Sequence, residues 1–259
     1  MPLLRARFKT DIVAEFLLPQ GHNRCRESHT VCPHTRVIIL CDGMPSVPHK
    51  RRVLEFFSRK GFWVFHPRYR GTWESGGQFL KDDPTRDVLD VIDELQTGRV
   101  ASIWDNETYE IAPKEFFVFG GSFGGPAAIL ASLDSRVTKA VAISPVVDWA
   151  ALSESEIEPP ELLERRVQMA FGQAYRFSHE DWLRLSRNEL YTPMRHVEEF
   201  DGSKLFLIHT KDDAVVPAGP VQQFAAQIGC VFLLLKKGGH LGLSTLTRWR
   251  LWRRIKKHL

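Results

Sequence analysis

The stretch Phe116-Phe117-Val118-Phe119-Gly120-Gly121-Ser122-Phe123-Gly124-Gly125 decides how the rest of the chain is read. Its first residues are apolar without alternation, the pattern of a strand buried on both faces. Gly120 to Gly124 has the form G-x-S-x-G, and Pro126-Ala127-Ala128-Ile129-Leu130-Ala131 continues as an apolar helix. A strand that becomes a helix within so few residues brings the two backbones nearly into contact. Side chains at 120 and 124 would collide there, and the serine at the tip must take a strained conformation. Pro126 suits the first helical turn, where its missing N–H has no partner to lose. Taken alone, the pattern also describes a plain glycine-rich turn. Two other glycine-loop chemistries are excluded, because a dinucleotide G-x-G-x-x-G needs glycine at 122 and no Gly-Lys-Ser/Thr occurs.

Working outward, short apolar runs alternate with helical periodicity. Arg36–Cys41, Phe62–His66, Ala140–Ser144, Lys204–His209 and Val231–Leu235 read as buried strands, and residues 5–18 as strands ending at Pro19. Val53, Leu54, Phe56 and Phe57 mark one helix; Val88, Leu89, Val91, Ile92 and Leu95 mark another over 85–97. This order predicts an α/β fold, a mostly parallel sheet covered by helices on both faces. Between about 150 and 200 the pattern changes. Glu154, Glu156, Glu158, Glu161 and Glu164 are expected to make an acidic patch, interrupted by Pro159-Pro160, and aromatic-bearing helical pieces follow. A cap-like helical insertion within a single domain spanning 1–259 is expected.

Composition narrows the function. A chain of 259 residues, 43% hydrophobic and 25% charged, is ordinary for one large globular domain. The net charge of +4 is mild and shows no diffuse basic face with interleaved aromatics, so nucleic acid is not expected. No apolar run approaches the ~18 residues of a membrane span. Met1-Pro2-Leu3-Leu4-Arg5-Ala6-Arg7 lacks a signal-peptide core, so a cytoplasmic location is expected. Four irregularly spaced cysteines make no disulfide framework. Cys25, His29, Cys32 and His34 lie close together, but their spacing is not that of a paired C-x-x-C site, and a solvated loop is expected instead of a metal. The C-terminal Trp249, Trp252, Ile255 and Leu259 are expected to cover the sheet as a closing helix, not to bind a membrane surface. Nothing in the sequence sets an oligomeric state.

A serine hydroxyl is a poor nucleophile unless a neighbouring base takes its proton. An acid and a histidine should therefore follow, each just beyond a strand end, in the order Ser, Asp, His. After the strand at 204–209 comes Thr210-Lys211-Asp212-Asp213-Ala214-Val215-Val216-Pro217, and after 231–235 comes Lys236-Lys237-Gly238-Gly239-His240. A satisfied loop histidine is the plain alternative for His240; its placement after a strand and two glycines favours chemistry. Arg68 and Arg70 are read as bracing the loop after the strand at 62–66.

These pieces, with Arg70-Gly71-Thr72, Ser75-Gly76-Gly77 and Ser144-Pro145-Val146-Val147-Asp148-Trp149, resemble the α/β-hydrolase superfamily. The resemblance is to prolyl oligopeptidase-like and dienelactone-hydrolase-like serine hydrolases, and it covers about 36 to 245. It implies a catalytic set of Ser122, His240 and an aspartate. Family spacing, counted from Thr210 and Pro217, selects Asp213, with Asp212 as the alternative. It also implies an oxyanion hole made by the backbone N–H groups of Phe123 and Met44. Two departures stand out: Asp42-Gly43 where relatives often carry His-Gly, and Thr210 where they commonly have glycine.

No cofactor or metal is expected. The reaction expected is cleavage of carboxylic esters through an acyl-enzyme; a serine peptidase and a non-catalytic binding module are the alternatives. Esters are favoured because about 120 residues precede Ser122, leaving little room there for a peptide-screening domain. Phe171, Tyr175, Phe177 and Trp182 of the insertion are expected to line an apolar pocket for a small ester, or a short peptide.

Overall fold

The computed structural model describes residues 2–20, 35–153 and 160–259. An eight-stranded sheet runs through its centre. At one end β1 (Leu4–Phe8) and β2 (Ile12–Leu17) make an antiparallel hairpin, and β2 pairs antiparallel with β4 (Phe62–Pro67). From β4 the strands run parallel in the order β3 (Thr35–Cys41), β7 (Pro113–Gly121), β8 (Val137–Ile143), β9 (Leu205–Thr210) and β10 (Val231–Leu235). The chain thus moves outward from the centre in both directions. The expected mostly parallel α/β-hydrolase architecture is what the molecule has.

Alternation along the strands explains the two layers of helix. Ile38, Leu40, Phe117 and Phe119 face one apolar cluster, filled by α1 (Arg51–Ser58) and α8 (Trp249–His258). Val37, Ile39, Phe116 and Val118 face the other, filled by α2 (Thr85–Leu95), α3 (Gly124–Ala131) and α7 (Ala218–Ile228). Phe57 meets Phe119 edge-on with ring centres 5.3 Å apart. Each fully buried aromatic of this kind contributes on the order of 2–3 kcal/mol by area removed from water.

The insertion begins with α4 (Trp149–Ser153) and α5 (Pro160–Phe171), continues through α6 (His179–Ser186), and returns by 3₁₀ turns to β9. Ser178 caps α6 by accepting from the Asp181 N–H. The insertion is tied to loops that follow strands: Trp73 N–H donates to Ala174 O at 2.9 Å and Met194 N–H to Val147 O at 3.0 Å.

The fold departs from expectation in three places. Residues 99–110, for which no element was expected, form a two-stranded ribbon, β5 (Arg99–Ala101) with β6 (Thr108–Glu110). Trp249 does not cover the sheet; it is 65% exposed, and Leu251 is buried in its stead beside Trp252 and Ile255. Glu164 is no open acidic patch, since it is buried with its carboxylate 3.0 Å from His179 Nδ1. Glu154, Glu156 and Glu158, like Cys25, His29, Cys32 and His34, lie outside the described residues. Arg68 is buried against Glu15 at 3.0 Å, and Arg70 clamps Asp11 and Asp87, so both brace the framework.

Candidate active site

Ser122 stands at the turn between β7 and α3 with φ +53°, a left-handed conformation that costs a non-glycine residue energy. Its neighbours show why glycine is needed. A Cβ on Gly120 would lie 1.9 Å from Gly124 O, and one on Gly124 would lie 2.1 Å from Cys41 O. The turn is fastened to the sheet by Ser122 N–H donating to Ile143 O at 2.9 Å. Tyr191, from the end of the insertion, holds it from above: its hydroxyl donates to Phe123 O at 2.6 Å and accepts from Ala127 N–H at 2.9 Å.

Asp213 and His240 come from the ends of adjacent parallel strands, β9 and β10. His240 Nδ1 lies 2.9 Å from Asp213 Oδ2 and 3.1 Å from Oδ1. Asp213 Oδ1 also accepts from the Val215 and Val216 amides at 2.9 and 3.0 Å, and its side chain is fully buried. Burial alone would raise this carboxyl, but the bonds from His240, Val216 and Val215 outweigh it and hold the pKa down to about 2. It is therefore an anion at neutral pH. Asp212 does something else. Its carboxylate accepts from the Gly238 and Gly239 amides at 3.2 and 3.0 Å, tying the loop that carries His240 to the loop that carries Asp213.

Ser122 and His240 line one cavity of about 510 Å³, together with Met44, Lys50, Arg166 and Leu243. Among the described residues no hydrogen bond joins Ser122 Oγ to His240, so His240 is paired with Asp213 while Ser122 lines the same cavity. Unliganded sites commonly leave this contact loose until substrate closes it. The Phe123 and Met44 amides have no acceptor among the described residues, and Met44 borders the cavity. The loop presenting Met44 is set by Asp42, whose carboxylate accepts from Gly43 N–H at 2.8 Å, Ser46 Oγ at 2.5 Å and Lys50 Nζ at 2.7 Å. Burial would raise the Asp42 carboxyl, but His66 and Lys50 overcome it and keep it well below the usual range.

Phe171, Tyr175, Phe177 and Trp182 do not line this cavity. Tyr175 packs edge-on against Phe79 at 5.5 Å and Phe171 against Trp73 at 6.4 Å, so the aromatics fasten the insertion to the loop after β4. The insertion reaches the cavity through Arg166.

Asp213 has a second histidine neighbour. His209, the penultimate residue of β9, is wholly buried, with Nε2 3.0 Å from Val216 O and 3.4 Å from Asp213 Oδ2. Both neighbours are acceptors, so Nε2 carries the proton, and Nδ1 is left without a partner among the described residues. Burial lowers its pKa, which keeps the ring neutral beneath Asp213. Its distance of four residues from Asp213 was the available signal.

The model of the prolyl oligopeptidase family matches residues 48–245, most of the chain and all of this site except the strand β3 end. The chain belongs to that family. It is accordingly a serine hydrolase of the α/β-hydrolase superfamily. Solved structures share the fold at low identity. An esterase from Pyrococcus furiosus superposes with a TM-score of 0.65 at 16% identity, covering 100% of this chain and 89% of its own. Est1E from Butyrivibrio proteoclasticus gives 0.62 at 14%, covering 99% of each chain. An acylaminoacyl peptidase from Pyrococcus horikoshii gives 0.62 at 14%, covering 100% of this chain but 40% of its own. Comparison with curated proteins finds no match. Among the described residues, no helix is long and apolar enough to cross a membrane.

Proposed function

We propose that this family member hydrolyses carboxylic esters through a triad of Ser122, His240 and Asp213. The observation that carries the reading is the His240–Asp213 pair at 2.9 Å bordering the cavity into which the strained Ser122 turn projects. As Ser122 Oγ bonds to the ester carbonyl carbon, His240 Nε2 takes its proton. Asp213 accepts from Nδ1–H, which fixes the tautomer and stabilises the imidazolium. The Phe123 and Met44 amides meet the oxyanion. Collapse of the intermediate expels the alcohol, which takes the proton from His240. Water then gives His240 a proton as it attacks the acyl carbon, and the acid leaves with Ser122 reprotonated.

The preference for esters rests on the charge of the cavity. Asp42 is its only acid among the described lining residues, and that carboxylate is already occupied by Lys50, Ser46 and the Gly43 amide. The other charged lining residues, Lys50 and Arg166, are cations. Among the described residues a peptide's ammonium end finds no unoccupied carboxylate in the cavity lining, whereas a neutral or anionic ester meets no repulsion there. Est1E has been solved with ferulic acid, an aromatic acid, and an ester of that class is a suitable first substrate.

The test compares kcat/KM for short acyl and aromatic-acid esters with that for free and N-acylated aminoacyl amides of similar size. Esters should lead by far more than their intrinsic reactivity; an amide within about tenfold of the matched ester would assign the site to peptides. Labelling by a fluorophosphonate that disappears in Ser122→Ala is expected alongside. Labelling that persists in that variant would move the nucleophile elsewhere.

A further inference from the structure

α1 and α8 lie side by side, with Trp252 edge-on to Phe56 and Phe57 at 5.7 and 5.5 Å between ring centres. Their inward stripes, Val53, Leu54 and Phe57 with Leu251, Trp252 and Ile255, are buried in the core. What they turn to solvent is almost wholly basic. Residues 51–60 and 248–257 carry ten Lys or Arg side chains and one acid, Glu55, which Arg51 engages at 2.8 Å. The whole chain is only +4, so the rest of it is net acidic and the positive charge is gathered on this face.

On α8 the outward residues fall into two stripes at helical spacing. Arg250, Arg254 and Lys257 form one, and Trp249, Arg253 and Lys256 the other, all of them exposed. The Trp249 indole is 65% exposed, with the Arg253 guanidinium 5.0 Å from its ring centre. Lys60 over Phe56 at 5.4 Å and Arg36 over Phe62 at 4.3 Å carry the positive field across α1 towards the sheet. Like charges gathered so densely repel one another, and a polyanionic partner relieves that repulsion. An indole beside them adds a second requirement, because tryptophan is favoured where an apolar layer meets water and charge.

We infer that the α1–α8 face docks the protein on an anionic lipid surface, with Trp249 entering the headgroup layer. Nucleic acid would use the charge and leave the solitary indole without a purpose. Both helices also begin at the rim of the Ser122 cavity. Lys50, the residue before α1, lines it, and so does Ser244, five residues before α8. Docking therefore sets the mouth of the cavity beside the lipid.

The experiment uses the full chain, sedimented with vesicles of phosphatidylcholine alone or mixed with phosphatidylglycerol. Binding is expected only to the anionic vesicles, and weaker as salt rises. Neutralising Arg250, Arg254 and Lys257 together by Arg250→Gln, Arg254→Gln and Lys257→Gln should cost about fivefold per charge, roughly a hundredfold in all. Trp249→Ala should reduce binding further and reduce what persists at high salt. All four positions are exposed, so unchanged thermal unfolding and unchanged turnover of a water-soluble ester serve as controls for folding. Equal binding to neutral vesicles, no binding to anionic ones, or undiminished binding by the triple variant would each overturn the inference. Duplex DNA that displaces the protein from phosphatidylglycerol vesicles at equal charge would assign the face to nucleic acid instead.

Discussion

At the scale of single residues, two adjacent aspartates in one loop are given different work by their neighbours. Asp213 receives Nδ1 of His240 and two backbone amides, whereas Asp212 receives the amides of Gly238 and Gly239 and no histidine. Asp213→Asn should lower kcat by roughly 10³–10⁴, because an amide no longer holds the histidine tautomer that accepts a proton from serine. Asp212→Asn should cost about tenfold or less, through a looser His240 loop, since an amide oxygen still accepts one of the two bonds. Matched kcat measurements on one ester decide between them, and the reverse ranking would hand the acid role to Asp212. Counting residues from Thr210 and Pro217 was enough to prefer Asp213. The spacing of four residues hinted at His209 beside it, but the contact itself depends on how the chain turns after β9.

At the scale of elements, the turn between β7 and α3 is a packing problem before it is a catalytic one. Gly124→Ala puts a methyl 2.1 Å from Cys41 O, in the middle of the sheet, where nothing flexible can yield. The expected cost is about 1–3 kcal/mol, with a larger loss of ester turnover because the Ser122 tip must shift to relieve the clash. Gly219→Ala is the matched control: its methyl meets nothing within 4 Å at the start of α7, and it should be neutral or stabilising by up to about 1 kcal/mol. Thermal unfolding of both variants reads the difference. The buried strands and α2 were legible because uninterrupted apolar runs and 3.6-residue periodicity seldom arise outside buried strands and core-facing helices. The ribbon β5–β6 was not, since three-residue strands of mixed polarity leave no period to detect. Trp249 misled for a related reason. Positions 249, 252 and 255 share a stripe in the sequence, but the helix is rotated so that Leu251 takes the inward place.

For the whole molecule, several buried carboxylates bear on acid stability with opposite signs. Glu15 and Asp213 are each held at about 2, in spite of burial, by His66 and Arg68 in one case and by His240 and backbone amides in the other. A carboxyl depressed in the folded state stabilises it above the unfolded pKa near ~4, and that contribution is lost as pH falls towards 2. Asp87 works the other way: burial pushes it up to about 6 against the pull of Arg70, so the folded protein binds its proton more tightly than the unfolded chain does. Between pH 6 and 4 Asp87 therefore adds stability as the solution is acidified. Denaturant midpoints should rise from pH 6 to 4 and fall steeply below 4. A steady decline beginning at pH 6 would show that Asp87 does not carry that proton. At this scale the class of fold was fully legible, as was the placing of Ser122, Asp213 and His240 just beyond strand ends. Which residues floor the cavity was not, because Arg166 and the Asp42–Lys50 pair reach it from segments far apart in sequence.

Ser122 and His240 also differ in how firmly the sheet holds them. Ser122 follows the nine-residue β7, flanked by β3 and β8, and its own N–H is bonded to Ile143. His240 follows β10, which among the described residues is the edge strand, pairs only with β9, and has Val231 50% exposed. In amide exchange, the Ser122 proton should leave only through global unfolding, whereas the amides of 231–240 should exchange through local opening at the edge. Ser122 and His240, the proposed nucleophile and base, therefore belong to different cooperative units. On warming, ester turnover should fade several degrees before the central strands melt, as the edge opens and carries the histidine out of reach of a serine that has not moved.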